Sequence, residues 1–497
     1  MRSARRLAGA LRVSLALAMI VMLAAHVGSP DVFRSGRAGP YAVDVVVRPP
    51  QVVPGIAEIL VRVADPGVAR VTVRPVYWRA GTKGAPSADE AKPVRGSAGT
   101  YSGRLWLMAG GSYSVHVTVV GAAGQGTLIV PVAAVATGQL QLSSGLRWLL
   151  LALGTLLVAG VITAVHAAVG ESQVPPGETV PPARRRRARL GAAIATPIMA
   201  ILIFGGARWW DAEASAYRRT LYRPMRTQAV VRDSAGVPTL EVRIVDTSWR
   251  EGRVSPLMPD HGKLSHLFLA RIDTLGVMAH LHPSLVDRAT LATALPPLPA
   301  GRYRLYADVV HETGFQRTLV DSIALSAPLG PAGVSALDAD DAWFEGPTAT
   351  LPAMRDVQLG DVAISWAGDP RPTVGQPGAL RFTLRGVMGD SVRVEPYLGM
   401  PGHAVVVRQD GGVFIHLHPS GTAAMASEVA FTLRDRGDTT ADGRLRLSDA
   451  PMSMGAEQAI GELSFPYAFP SAGRYRVWVQ LRVRGRVRTA AWTVEVR

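Results

Sequence analysis

Two stretches of this 497-residue chain carry the run His-Leu-His-Pro: His280 to Pro283 in MAHLHPS and His416 to Pro419 in FIHLHPSG. On a strand, residues two apart project to one face, so His280 pairs with His282 and His416 with His418. A proline cannot donate to a strand ladder and suits a strand end; each pair is therefore expected near a sheet rim. In VVVRQDGGVFI, Asp410-Gly411 is a two-residue hairpin signal. With those two residues as the turn, Arg408 faces Val413 and His403 falls opposite His418. His403, His416 and His418 would then share a face. In the earlier stretch, His266 falls opposite His282 if the turn has an odd length, such as Asp273 to Leu275; otherwise the register slips and His266 faces away.

Three imidazoles on one face suit Cu, Zn, Ni or Fe. Thioethers nearby, Met400 above all and Met425, would favour copper. His261 and Asp260, in MPDHGKLSH, and His311, beside Glu312 in VVHETG, could extend the earlier site. MPDHG also reads as a turn. The alternative for every one of these histidines is structural, with imidazoles hydrogen-bonded across a rim to pin a hairpin. His116 stands alone on a strand and reads as structural.

The elements that must position these residues are strands. From about 38 to 138, from 226 to 326 and from 357 to 497, apolar and polar residues alternate between Gly/Pro turns, which predicts antiparallel β-sandwiches. GHAVVVRQDGGVFIHLHPSG parallels SHLFLARIDTLGVMAHLHPS, and AFPSAGRYRVWVQLRVRGRVR parallels PPLPAGRYRLYADVVHETGFQR, in the same order. This predicts an internal duplication, with an insertion in the later copy at about 421 to 462 that carries PMSMG. The Gly/Pro/Ala/Asp stretch between the copies reads as a linker. Its Asp338, Asp340 and Asp341 do not have the spacing of an EF-hand and read as solvated charge.

Composition narrows the chemistry. The chain has no cysteine, which excludes disulfides, thiolate metal sites, blue copper and cysteine nucleophiles. The net charge is +15, but the basic residues lie on strand faces and in ARRRRAR between two apolar segments, so no nucleic-acid partner is expected. Nucleophile elbow, P-loop, dinucleotide fingerprint and His-Glu-x-x-His run are all missing.

Three apolar stretches predict membrane segments. The first, at about 7 to 27 behind Arg2, Arg5 and Arg6, reads as an anchor or a signal. The second starts at Trp148, and the third contains Pro197 and ends before Trp209 and Trp210. Positive charge on the inner side orients the chain in, out, in, out. The expected layout is an anchor or signal at 1–27, an external β-sandwich at 28–145 and a helix at 146–169. A basic inner loop at 170–189 and a helix at 190–209 follow. An external sandwich at 210–326, a linker at 327–356 and an external sandwich at 357–497 complete it. The expected fold class is mainly β: three Ig-like or cupredoxin-like antiparallel sandwiches plus three transmembrane helices. The expected location is a bacterial inner membrane, with most of the chain on the periplasmic side.

The stretch EPYLGMPGHAVVVRQDGGVFIHLHPSG, followed by FPSAGRYRVWVQLRV, resembles a secreted bacterial domain associated with heavy-metal handling, of the YtkA-like and cupredoxin-like sandwich kind. The resemblance rests on Pro396–Gly399, Gly402-His403, His416–Pro419 and Pro470–Tyr475. It implies a metal-associated domain more than any reaction. Together these observations predict a membrane-anchored metal-binding protein rather than an enzyme. Its ion would be copper, with zinc as the alternative, bound, buffered or delivered to another periplasmic or membrane metal-handling protein. Two other readings stand beside it: a partner-binding membrane scaffold without metal, and a cupin-like metalloenzyme using Asp287 in HLHPSLVD as the acid.

Overall fold

The computed structural model describes residues 31–175, 177–447 and 461–497. The chain forms two compact units, one of residues up to 134 with 223–497 and one of residues 135–222. The first 30 residues, with the expected first anchor, and the methionines of PMSMG lie outside the described residues.

The larger unit begins with β1 (Val32–Ala38), β2 (Tyr41–Arg48), β3 (Gly55–Val63), β4 (Val68–Tyr77), β5 (Asp89–Pro93), β6 (Thr100–Leu107), β7 (Gly111–Gly121) and β8 (Gly124–Ala134). Alternation builds them: in β2, Tyr41, Val43, Val45 and Val47 are buried while Ala42 and Asp44 face out. They form one eight-stranded sheet in the order β1-β2-β3-β6-β5-β4-β7-β8. The sheet nearly closes on itself, because β1 lies against β8. Gly126 of β8 comes so close to β1 that a Cβ there would sit 2.2 Å from the Ala38 carbonyl carbon.

Residues 223–345 supply β9 (Thr227–Ser234), β10 (Val237–Ile244), β11 (Leu257–Met258), β12 (His266–Arg271), β13 (Val277–Leu281), β14 (Ser284–Asp287), β15 (Thr290–Ala294), β16 (Gly301–His311), β17 (Gln316–Leu325) and β18 (Ala342–Glu345). Residues 346–497 supply β19 (Ala349–Thr350), β20 (Asp356–Leu359), β21 (Val362–Trp366), β22 (Gly378–Gly386), β23 (His403–Arg408), β24 (Phe414–Leu417), β25 (Glu462–Tyr467), β26 (Gly473–Val483) and β27 (Arg486–Val496). They form sheets β14-β15-β10-β9, β11-β16-β12-β13-β18 with β17 on β16, β19-β27-β26-β23-β24 and β20-β21-β22-β25.

Strands β12, β13, β23 and β24 have almost no exposed residue. One side of β12 and β13, with Leu267, Leu269, Ala279 and Leu281, joins the core shared with β10 and β15. The matching side of β23 and β24, with Ala404, Val406, Ile415 and Leu417, joins the core shared with β21 and β22. Their other sides meet each other in a third core of Phe268, Met278, Tyr306, Val405, Val407, Phe414 and Trp478. Tyr306 and Phe414 stack there at 4.2 Å between centroids, 10° from parallel.

This architecture corrects the expectation of three Ig-like or cupredoxin-like sandwiches with three transmembrane helices, and with it the heavy-metal-associated sandwich resemblance. The strands belong to one mixed unit, which contains a near-closed eight-stranded barrel and sheets covered on both faces. The physical reason is that period-2 patterning reports a half-buried strand without saying whether its sheet closes, and fully buried strands such as HLFLA give no polar face to count.

The smaller unit holds α1 (Ser144–Glu171) and α2 (Pro182–Thr220). Among the described residues these two, not three, are long and apolar enough to cross a membrane. At 1.5 Å per residue they extend about 42 and about 58 Å, and their leucines, isoleucines and tryptophans face outward. The arginine run expected in a basic inner loop forms the first turns of α2. In the larger unit, α3 (Thr247–Arg250) is a single turn and α4 (Met425–Arg436) follows the second His-Leu-His-Pro.

Candidate metal centre

The two hairpins set the histidines. In β23–β24 the register pairs Ala404 with Leu417, and Arg408 N donates to Val413 O at 2.9 Å, as the Asp410-Gly411 turn implies. In β12–β13, Leu267 pairs with Leu281 and Phe268 with His280, the register of an odd turn. His266, His280 and His282 therefore share the face of Phe268, while His403, His416 and His418 share that of Val405 and Phe414. Because these two faces meet, both groups enter one interior. His261 joins them from a tight turn in which Asp260 and Lys263 exchange backbone bonds of 2.8 and 2.9 Å. Its φ is +53°, next to +79° at Gly262. Two successive positive φ values mark a type I′ turn.

Seven histidines thus converge, and their imidazoles are buried. Donor nitrogens of His266, His280 and His282 lie within 4.8 Å of one another, and so do those of His261, His403 and His418. The first triad comes wholly from β12–β13 and its flank. The second mixes a turn before β12 with the β23–β24 hairpin. His416 stands between them, with its ring 4.6 Å from His418, 5.2 Å from His403, 5.2 Å from His266 and 5.6 Å from His280. His416 thus lies beside His403 and His418 as well as beside His266 and His280, while the donors within 4.8 Å of one another on that side are those of His261, His403 and His418.

Hydrogen-bond polarity fixes where the lone pairs point. Gln480 Nε2 donates to Thr489 Oγ1 at 3.4 Å, which turns its oxygen toward His280. His280 Nδ1–H donates to that oxygen at 2.8 Å and is shared with the Tyr397 hydroxyl oxygen at 3.3 Å, whose own proton goes to Asp340 O at 2.8 Å. His266 Nε2–H donates to Asp260 O at 3.2 Å. His282 Nδ1–H donates to Asp341 Oδ1 at 2.8 Å. A neutral imidazole has one donor and one acceptor nitrogen, so His266 Nδ1, His280 Nε2 and His282 Nε2 all carry lone pairs. The first two face each other at 3.1 Å, a repulsive arrangement that a cation between them would relieve. His282 Nε2 has no partner. In the second triad His261 Nε2 and both ring nitrogens of His403 and His418 lack partners, and so does His416 Nε2. Each unsatisfied buried polar atom costs about 1–3 kcal/mol, and unprotonated imidazole nitrogens are what borderline transition ions bind.

Burial is the first cause that holds His266, His280, His403 and His416 well below the usual imidazole range, and neighbouring imidazoles add to it. His418 is lowered to about 4, again first by burial. These five rings are thus neutral at neutral pH. Carboxylates surround them. Asp341 holds His282 at 2.8 Å, Asp260 Oδ2 lies 3.9 Å from His261 Nε2, and Asp308 Oδ2 lies 3.8 Å from His416 Nδ1. Burial raises Asp308 to about 7 against the opposing Thr318 hydrogen bond. Asp260 Oδ1 also accepts from Ala426 N at 2.8 Å, capping α4.

Other expected residues lie elsewhere. His311 donates from Nδ1 to Ser255 O at 2.6 Å and lies against Trp249, outside both triads. Met400 closes a turn with Tyr397 through its backbone. Asp287 is exposed and its carboxylate accepts from Ala289 N at 2.7 Å. His116 meets Asp435 at 3.4 Å. Four contributors escaped the sequence reading. Asp308 and Gln480 hold matching positions in YRLYAD and YRVWVQ, where β16 and β26 pair with His266 and His403, and two polar residues on an apolar face were a usable signal. Tyr397 lay within the quoted Pro-Tyr-Leu-Gly. Asp341, expected to be solvated linker charge, has a fully buried side chain.

Residues 357–497 match the family model described as Domain of unknown function (DUF8832). No curated protein matches the chain. Among solved structures, the chain is similar to latent PorU from Porphyromonas gingivalis, at 9% identity over 94% of this chain and 34% of that one, TM-score 0.15. It is also similar to native α-2-macroglobulin of E. coli, at 9% identity over 94% and 23%, TM-score 0.19. Salmonella α-2-macroglobulin reacted with methylamine follows, at 10% identity over 95% and 24%, TM-score 0.18. The chain spans about a third or less of these proteins' length.

Proposed function

We propose that this is a membrane-anchored transition-metal-binding protein, with copper as its ion and zinc as the alternative. It holds, buffers or hands on the ion rather than turning over a substrate. The observation that carries the reading is the set of buried imidazole nitrogens with lone pairs and no partner. Metal coordination would give them partners. Imidazole without thiolate suits copper and zinc alike. The rings sit at most 8% exposed, which suits retention of an ion more than access by an organic substrate. In this reading α1 and α2 anchor the chain, the arginines of α2 mark the inner side, and the larger unit faces outward, where a periplasmic or membrane metal-handling protein would exchange the ion.

The test is calorimetry and metal analysis of the metal-stripped full chain in detergent, titrated with Cu(I), Cu(II) and Zn(II). Tight uptake of one of these ions is expected. The double variant His282→Ala/His418→Ala should bind at least tenfold more weakly while keeping its near-UV circular dichroism. No uptake of any of the three ions would overturn the reading and leave the cluster as a hydrogen-bonded seam between two sheets. Resistance to alkaline carbonate extraction tests the anchoring separately.

A further inference from the structure

Resting on that reading, we propose that the cluster is a two-ion centre. His266, His280 and His282 hold one ion, His261, His403 and His418 hold the other, and His416 stands between them with one free nitrogen for either. Seven imidazoles are more than one ion takes. At metal–nitrogen distances of about 2.0–2.1 Å, the donors on a single tetrahedral ion lie about 3.3 Å apart. Each triad is compact enough for that on modest adjustment, since its donor atoms lie within 4.8 Å of one another. One ion in the first triad would leave His261, His403 and His418 with their orphaned nitrogens. One ion in the second would leave the facing lone pairs of His266 and His280 at 3.1 Å and the orphan at His282. Only two ions satisfy both.

The surrounding carboxylates divide the same way. Asp341 holds a ring of the first triad, Asp260 faces a ring of the second, and Asp308 faces the histidine between them. Three acids placed along the cluster offset the mutual repulsion of two cations in a medium where charges are weakly screened. The centre also differs from end to end. The first triad belongs to residues 266–282 alone, whereas the second exists only where the 260–263 turn meets the β23–β24 hairpin. His416 Nε2 is free to take either ion.

The experiment uses the full chain in detergent, metal-stripped, with Zn(II) for calorimetry and Co(II) for absorption. Two ions per chain are expected with both probes. His282→Gln and His418→Gln each remove one ligand from one triad, and each should leave one tight ion and weaken the other at least tenfold. Their metal-free melting temperatures show whether each is folded. If either variant does not fold, the cobalt spectrum of the unaltered chain decides, because absorption should rise linearly to two equivalents and then stop. Saturation at one equivalent, or loss of all binding in a folded single variant, would overturn the two-ion centre and leave metal binding standing. Uptake of no ion would overturn metal binding itself.

Discussion

Asp341→Asn is the perturbation that most directly probes how the cluster is held. Oδ1 of Asp341 accepts both the backbone N–H and the Nδ1–H of His282, each at 2.8 Å, while Oδ2 accepts from Asp338 N at 3.0 Å. An asparagine that keeps its oxygen toward His282 turns its NH2 toward the Asp338 N–H, donor against donor. The charge that strengthens the His282 bonds is also lost. One disrupted buried pair and a weakened charge-assisted bond cost about 1–3 kcal/mol of metal-free stability. Asp341 also fixes His282 in the tautomer that leaves Nε2 free, and removing such a partner weakens metal affinity by about 10–100-fold, or about 1.4–2.8 kcal/mol. Urea unfolding of the metal-free chain reads the first quantity, and competition against a chelator of known affinity reads the second. Asp287→Asn makes the same charge change at an exposed strand end and should leave affinity within twofold. A folded Asp341→Asn chain that binds metal as tightly as the parent would refute the argument that the Asp341 charge holds His282 in its binding geometry.

Other outcomes follow from single features. Burial lowers His311 to about 4, so the unfolded chain takes up a proton that the folded chain refuses. Its contribution is whole above pH 6.5 and is lost as pH falls toward 4, by about 3 kcal/mol at about 1.4 kcal/mol per pH unit; His311→Gln should flatten the urea-measured pH profile of the metal-free chain by that amount, and an unchanged slope would count against it. Phe414→Ala removes the ring stacked on Tyr306 between the two histidine-bearing sheets and should cost about 3–5 kcal/mol in urea unfolding; a loss below 1 kcal/mol would mean that the seam repacks freely. Gly421 has φ +128°, and a Cβ there would lie 1.9 Å from Phe33 O; Gly421→Ala should speed hydrogen exchange at Ser35 and Thr422, and unchanged protection would show that the contact adapts.

Local rules reached the hairpins and stopped at their surroundings. Asp410-Gly411 set the register of β23–β24, and counting from it placed His403 beside His418. The odd turn did the same for His266 and His282. Nothing in that count says what lies above the face, so it shows neither that His416 also reaches the rings of the other hairpin nor that the turn brings His261 to His403 and His418. Burial on both faces was written in HLFLA and VMAHL, which lack the polar alternation of an outward sheet, but such runs do not name the surface that covers them. The near closure of β1–β8 depends on strand order, which alternation does not encode. Composition marks a linker at Asp341, and an aspartate in a linker is solvated unless another element folds over it, as happens here.

The backbone bonds between β1 and residues 420–422, Ser35 N to Ser420 O at 2.8 Å and Thr422 N to Phe33 O at 3.0 Å, have a consequence for the order of folding. Strands β1 to β8 pair among themselves within residues 32–134, so this sheet can assemble early in synthesis. The segment that covers the outer rim of β1 is made almost 400 residues later, and the Phe33 to Thr422 contact spans 389 positions. Until then β1 presents an open edge able to recruit a strand from another chain. Closing this contact joins residues 389 positions apart, and chains rich in such distant contacts fold slowly.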